Sequence, residues 1–149
     1  MLDELTRISI DLRMEKAYKC LHVSEMLLSA EEYADSANRS YYAIFHAMQA
    51  VLITTGFSAK THSGSISEFR KSFVKTGLFP SQYSDIVGDA FTVRNKSDYD
   101  IYYVVVKTDV VEQHENAKKF LVAVEDFIES RKSEQQITDL ETVTEQHIE

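Results

Sequence analysis

The sequence predicts an all-α protein, an up-and-down bundle of four to five helices. Three observations carry that expectation. Only four glycines and one proline interrupt 149 residues, so helix breakers are scarce. Apolar residues recur at three-and-four spacing over long runs, which is the helical period. Hydrophobic residues make up 44% of the chain, the content of a packed domain rather than a disordered one. The length fits one domain that buries roughly 70% of the surface its unfolded chain exposes.

The stretch from Ser40 to Leu52 is the expected centre of the bundle. Tyr41, Phe45, Met48 and Leu52 form one apolar stripe, and Ala43, Ala47, Ala50 and Val51 add a second. A helix apolar over most of its circumference belongs in the middle of a fold. A third stripe at the same spacing, Arg39, Tyr42, His46 and Gln49, is polar, and polar groups so placed need hydrogen-bond partners. This helix is expected from about Ala37 to Thr54, with Asp35 or Ser36 as its cap and Gly56 as its stop.

Before it, a first helix from about Leu2 to Ser29 turns Ile10, Met14, Ala17, Leu21 and Leu28 inward, and Glu31–Asp35 reads as a polar break. After it, a polar connector leads to a third helix capped by Ser63 or Ser65. That helix buries Ile66, Phe69 and Phe73, is stopped by Gly77 and is barred from continuing by Pro80. A fourth helix, about Ser81 to Lys96, places Tyr83, Val87, Ala90 or Phe91, and Arg94 on one face, joined by Asp98 if the helix persists. Tyrosines and β-branched residues make 98–106 the least helical stretch, read as an ordered connector without a partner strand. Asp109 and Glu112 read as a capping box for a last helix, about Val110 to Arg131, with the stripe Val110, His114, Ala117, Leu121, Val124 and Ile128. On this reading the domain spans 1–132, and 133–149 is an acidic, flexible tail holding five carboxylates and no Lys or Arg.

The formal charge of −8 argues against a broad basic surface for duplex nucleic acid, yet leaves room for a small basic site. Cys20 stands alone, so no internal disulfide forms and a reducing cytoplasm is the expected setting. No apolar run reaches the roughly 18 residues of a membrane helix, and the N-terminus lacks a signal-peptide pattern. No metal or cofactor is expected: histidine and cysteine spacings do not match ligand sets, and no Gly-rich phosphate loop is present.

Arg94 and Asp98, four residues apart, share a helical face. They form either an intrahelical pair finishing the fourth helix or, with Tyr99, a group that addresses a ligand. A cation at the end of an apolar stripe is semi-buried and costly without an anion. Tyr42 and His46 are packed core groups or members of a site near Arg94, His62 is a helix-start or connector group or a member of that site, and His114 is a packed or interface residue. Tyr99, Tyr102 and Tyr103 either pack or stack on bases.

Three blocks occur in order: Arg39-Ser40-Tyr41-Tyr42-Ala43-Ile44-Phe45-His46-Ala47, then Lys60-Thr61-His62-Ser63-Gly64, then Phe91, Arg94 and Asp98-Tyr99. Together, over roughly residues 5 to 130, they resemble HEPN domains, most nearly the small stand-alone prokaryotic branch. The resemblance implies a bundle of four or five helices that forms a homodimer. In active HEPN ribonucleases an Arg, followed four to six residues later by a His, lies at the dimer seam, and two such pairs make one metal-independent RNA-cleaving site. Some members are toxins encoded beside a small nucleotidyltransferase antitoxin that modifies a Tyr just after the His. Others keep the fold without the chemistry.

This sequence departs from the pattern at the decisive place. Arg94 matches the Arg, but Asp98-Tyr99-Asp100 occupies the His position. Metal-free RNA cleavage needs a base, an acid and a cation for the phosphate. Arg94 supplies the cation. Asp98 is a base only with a raised pKa, which an Arg neighbour opposes, and Tyr99 is a poor base near neutral pH. The expected chemical residues are therefore Arg94, Asp98 and Tyr99, with Arg39, Tyr42, His46, His62 and Lys96 as ligand-binding groups. Three functions fit: a dimeric nucleotide- or RNA-associated module working with a nucleotidyltransferase; a metal-independent endoribonuclease toxin with a divergent Arg/Asp/Tyr site; or an adaptor whose acidic tail docks a basic partner. RNA cleavage in EDTA separates the second from the first, and deletion of the tail tests the third.

Overall fold

The computed structural model describes residues 2–58 and 60–148. Among them are five α-helices and no strand: α1 Glu4–Ser29, α2 Tyr33–Ile53, α3 His62–Phe69, α4 Gln82–Tyr99 and α5 Lys107–Ile148. A single π turn, Arg70–Val74, extends α3. None of the helices is long and apolar enough to cross a membrane.

Asp3 caps α1, its Oδ1 accepting from the Thr6 amide at 2.7 Å. The buried row of α1 is Ile10, Met14, Ala17, Cys20 and Ser24. Leu21 and Leu28, expected inside, are only half-buried. The chain then reverses through Glu31, whose φ of 62° is left-handed. The break expected over Glu31–Asp35 is thus a short turn, and α2 begins at Tyr33. Ser36 is not a cap. It is buried, and its hydroxyl donates to the Ser24 carbonyl at 2.8 Å.

α2 is the central element, packed against α1, α4 and α5. Tyr41, Ala43, Ile44, Ala47, Met48, Ala50, Val51 and Leu52 are all essentially closed to solvent. Each large apolar side chain so buried contributes roughly 1.5–3 kcal/mol. Below it, Phe69, Phe73, Phe79 and Phe120 pack edge to face, with centroids as close as 5.4 Å for Phe69–Phe79. α1 and α5 run antiparallel, tied by Ser24 to His114, Tyr18 to Glu125 and Asp11 to Lys132.

Thr61, rather than Ser63 or Ser65, caps α3, accepting from the Gly64 amide at 3.0 Å. His62 is therefore the first helical residue. α4 runs three residues past the expected end at Lys96, so Asp98 lies within the helix. The connector after it forms no strand, as expected, but Ile101, Tyr102 and Val104 stand in solvent.

α5 differs most from expectation. It begins at Lys107, so Asp109 sits in its first turn instead of capping it. It also continues past Arg131 to Ile148. Nothing in the sequence stops it: the segment holds no Gly or Pro, Gln135 bonds Asp139 at 2.8 Å, and Thr138, Thr142 and Thr144 bond carbonyls four residues back. Packing on the bundle ends near Gln135, and every described residue beyond it is exposed.

Candidate functional site

The polar stripe of α2 faces α1, the start of α3 and the end of α4. Arg39 donates through Nε and Nη2 to Asn38 Oδ1, at 3.1 and 2.7 Å. Asn38 in turn donates to Asp98 Oδ2 at 3.2 Å. The same Asp98 oxygen lies 3.1 Å from Arg94 Nε. That contact is an ion pair by distance, but its angle leaves Nε without a hydrogen bond. Arg94 Nη2 donates to the Tyr42 hydroxyl at 3.2 Å, and its side chain is only 15% exposed. The extra three residues of α4 thus make Arg94 and Asp98 a pair and connect them to α2.

Aromatic rings form the floor. The Arg39 guanidinium lies 5.0 Å from the Tyr42 centroid, and that of Arg94 lies 5.5–5.6 Å from the rings of Tyr41, Tyr42 and Tyr99. His62 stacks on Phe45 at 4.2 Å and meets Tyr42 edge-on. Both histidines expected near Arg94 therefore line one face with it: His62 through Tyr41 and Tyr42, and His46 one turn along α2 from Tyr42.

Their partners fix their protons. Arg13 Nη1 lies 3.0 Å from His46 Nδ1. A guanidinium only donates, so Nδ1 accepts and the neutral ring carries its proton on Nε2. Burial, then Arg13, Lys16, Arg39 and His62, push the His46 pKa down to about 4. The Tyr41 hydroxyl sits 2.6 Å from His62 Nδ1 and has no other partner among the described residues. Tyr41 is 1% exposed, so its proton must go to that nitrogen, and His62 likewise keeps Nε2–H. Burial, then Arg94, lower the His62 pKa. Both imidazoles are therefore neutral hydrogen-bond donors. As arranged, neither replaces the missing general base.

The other expected residues divide. Tyr99 joins the site, 73% exposed beneath Arg94. Lys96 does not: it points away, its Nζ 5.8 Å from the Tyr103 centroid. Gln49, last of the polar stripe, is a core group whose Nε2 donates to Ser65 at 2.7 Å. His114 is buried and bonded to Ser24 at 3.0 Å, within a polar knot that includes Ser36 and Ser40. Tyr102 is exposed, and Tyr99, also exposed, meets Arg94 with its ring. Cys20 is buried, and burial pushes its thiol pKa up.

Sequence reasoning missed Arg13, Lys16 and Asn38. Arg13 was findable, because it extends the buried row Ala17, Cys20 and Ser24 of α1 back by one turn. Asn38 carries no such signal. Elsewhere, a cleft of about 230 Å³ between α4 and α5 is lined by Asp89, Asp109 and Glu112, a composition that repels anions. Among the described residues no group of three His, Cys, Asp or Glu side chains is placed to hold a metal.

Comparison with known proteins places this geometry in a family. The model of the HEPN domain matches residues 10–135. A UPF0332 protein of Thermotoga maritima is 32% identical over 117 residues, 78% of this chain and 89% of that protein. Two proteins of Methanocaldococcus jannaschii named as candidate toxins are each 33% identical, over 96 and 99 residues. Those stretches are 64% and 66% of this chain, and 65% and 74% of the two proteins. The family match takes in every residue of the polar face from Arg13 to Tyr99, and the chain belongs to the HEPN domain family.

Proposed function

We propose that the chain is an RNA-associated module of the toxin-like HEPN type, holding phosphate on the face built around Arg94. One observation carries this reading. Arg94 and Arg39 lie against one aromatic wall with Asp98 as the carboxylate between them, in a protein of net charge −8. A cation so enclosed and incompletely bonded gains most from an anionic ligand.

The working form is a homodimer. Ile101, Tyr102, Val104 and Val106 follow the Arg94 face along the chain and are all exposed in the single chain. A contiguous apolar run of this kind favours a protein interface. Two Arg94 faces would then meet at the seam. A nucleotidyltransferase partner fits the exposed Tyr99 hydroxyl, which stands beside Arg94 where such an enzyme has access.

A second reading, a metal-independent ribonuclease toxin, draws on the names of the two Methanocaldococcus relatives and on the two imidazoles beside Arg94. The proton placement on those imidazoles favours binding over cleavage. The test is incubation of purified wild type and Arg94→Ala with mixed cellular RNA in EDTA, alongside binding of a labelled RNA by anisotropy. The module reading expects no cleavage and at least a ~10-fold affinity loss in Arg94→Ala, about 1.4 kcal/mol. Cleavage by wild type alone selects the ribonuclease. Unchanged binding in Arg94→Ala removes the Arg94 face from either role.

A further inference from the structure

We propose that Arg13, Arg39 and His46 form a second phosphate subsite beside Arg94, so that the face takes single-stranded RNA across successive backbone phosphates. The inference rests on the reading of the Arg94 face as an RNA site and adds its substrate class.

The first ground is charge without a partner. The ion pairs among the described residues are Arg94–Asp98, Lys118–Glu115, Arg131–Glu134 and Lys132–Asp11. Arg13, Lys16 and Arg39 belong to none of them. Here Arg13 donates to a neutral imidazole, and Arg39 is held by a neutral amide. Both guanidiniums are half-buried, which concentrates like charge around one ring.

The second ground is donor geometry. Asn38 fixes Arg39 through Nε and Nη2, and the guanidinium lies over the Tyr42 ring. Arg13 fixes His46 through Nδ1, and Nε2–H has no partner among the described residues. The two guanidiniums reach only neutral acceptors, His46 Nδ1 and Asn38 Oδ1, so no carboxylate balances their charge directly, and a phosphate would.

The third ground is continuity. Tyr42 lies against the guanidiniums of both Arg39 and Arg94. The two cationic groups are therefore one aromatic ring apart, an arrangement that suits neighbouring phosphates of one strand. The exposed Tyr99 ring at the Arg94 end offers a surface on which a base can stack. The net charge of −8 opposes the broad phosphate contact that a duplex would require.

The test uses Arg13→Gln with Arg39→Gln, which removes both charges while leaving a polar side chain at each position, beside Arg94→Ala. Wild type should bind a labelled twelve-residue oligouridylate at least tenfold more tightly than the double variant. The double variant should also lower the slope of log affinity against log salt by about 0.7, the value for one lost phosphate contact. Binding of uridine monophosphate should fall by a smaller factor than binding of the oligouridylate, because only the strand reaches both subsites. Independently, inorganic pyrophosphate should raise the apparent pKa of His46, followed by NMR, in wild type and Arg94→Ala but not in the double variant. Oligouridylate binding that survives in the double variant but fails in Arg94→Ala overturns the second subsite and leaves the Arg94 reading standing. Equal losses for oligouridylate and the monophosphate overturn the strand-tracking claim. A pyrophosphate response in a wild type that binds no oligouridylate overturns RNA as the ligand, and the Arg94 reading with it. A wild-type His46 that ignores pyrophosphate overturns the subsite itself.

Discussion

His46 illustrates how one contact decides a residue's chemistry. Its spacing on α2 showed that it shares a stripe with Arg39 and Tyr42. It did not show that Arg13 of α1 donates to Nδ1, and that contact fixes which nitrogen keeps the proton. The consequence is measurable. The folded pKa, about 4, lies below the 6.5 of an unperturbed histidine. Between those values the unfolded chain binds the extra proton and the folded chain does not. Stability is therefore fully present above about pH 6.5 and declines as pH falls toward 4. His62 and His114 are lowered in the same direction by burial and neighbouring cations, and add to the effect. His46→Gln retains an acceptor for Arg13 without titrating. Urea unfolding at pH 7 and pH 5 should show wild type losing more stability than His46→Gln, by on the order of 1–2 kcal/mol. Parallel losses in the two proteins would mean that His46 is protonated as readily in the fold as outside it.

At the scale of elements, hydrophobic period located the helices and misjudged several ends, for a physical reason. Periodicity reports burial, and burial ends before helicity does. The stripe of α5 fades after Ile128, which is 3% exposed, yet backbone and side-chain bonding carry the helix to Ile148. The converse error occurred at α2, where Ser36 has the chemistry of a cap but meets Ser24 across the α1–α2 seam. Long-range partners of that kind leave no trace in local spacing. The α5 case predicts a separation of helicity from stability. Truncation after Gln135 should reduce the far-ultraviolet helical signal while shifting unfolding free energy by less than about 0.5 kcal/mol. Phe120→Ala, in the same helix but packed among Phe69, Phe79 and Tyr83, should cost about 3–5 kcal/mol. A truncation penalty near that of Phe120→Ala would show that the projecting turns pack on something in solution.

For the whole molecule, the fold class was legible because scarce breakers and helical spacing agree over nearly the entire chain. The site was legible only where the three motif blocks mark it, at Arg39, His46, His62 and Arg94. Its α1 member Arg13 shares the spacing of the buried α1 row, but its contact with His46 came from tertiary packing. The least legible property is assembly, since 98–106 reads as an ordered connector and the tyrosines as packing groups. In the single chain Ile101 and Tyr102 are each 88% exposed and Val104 is 79% exposed. Keeping such side chains in water forfeits about 25 cal/mol for every Å² that a partner would cover. Ile101→Asp with Tyr102→Asp places two charges in that patch without touching the core. If the patch is the dimer seam, sedimentation equilibrium should give a dimer for wild type and a monomer for the double variant. Intrachain packing, reported by the aromatic near-ultraviolet spectrum, should be retained. RNA affinity should fall with the dimer, at least tenfold, because each Arg94 face would then stand alone. A variant that remains dimeric would place the seam elsewhere. A variant that becomes monomeric yet binds RNA as wild type does would show that one face is sufficient, and that assembly serves a purpose other than completing the site.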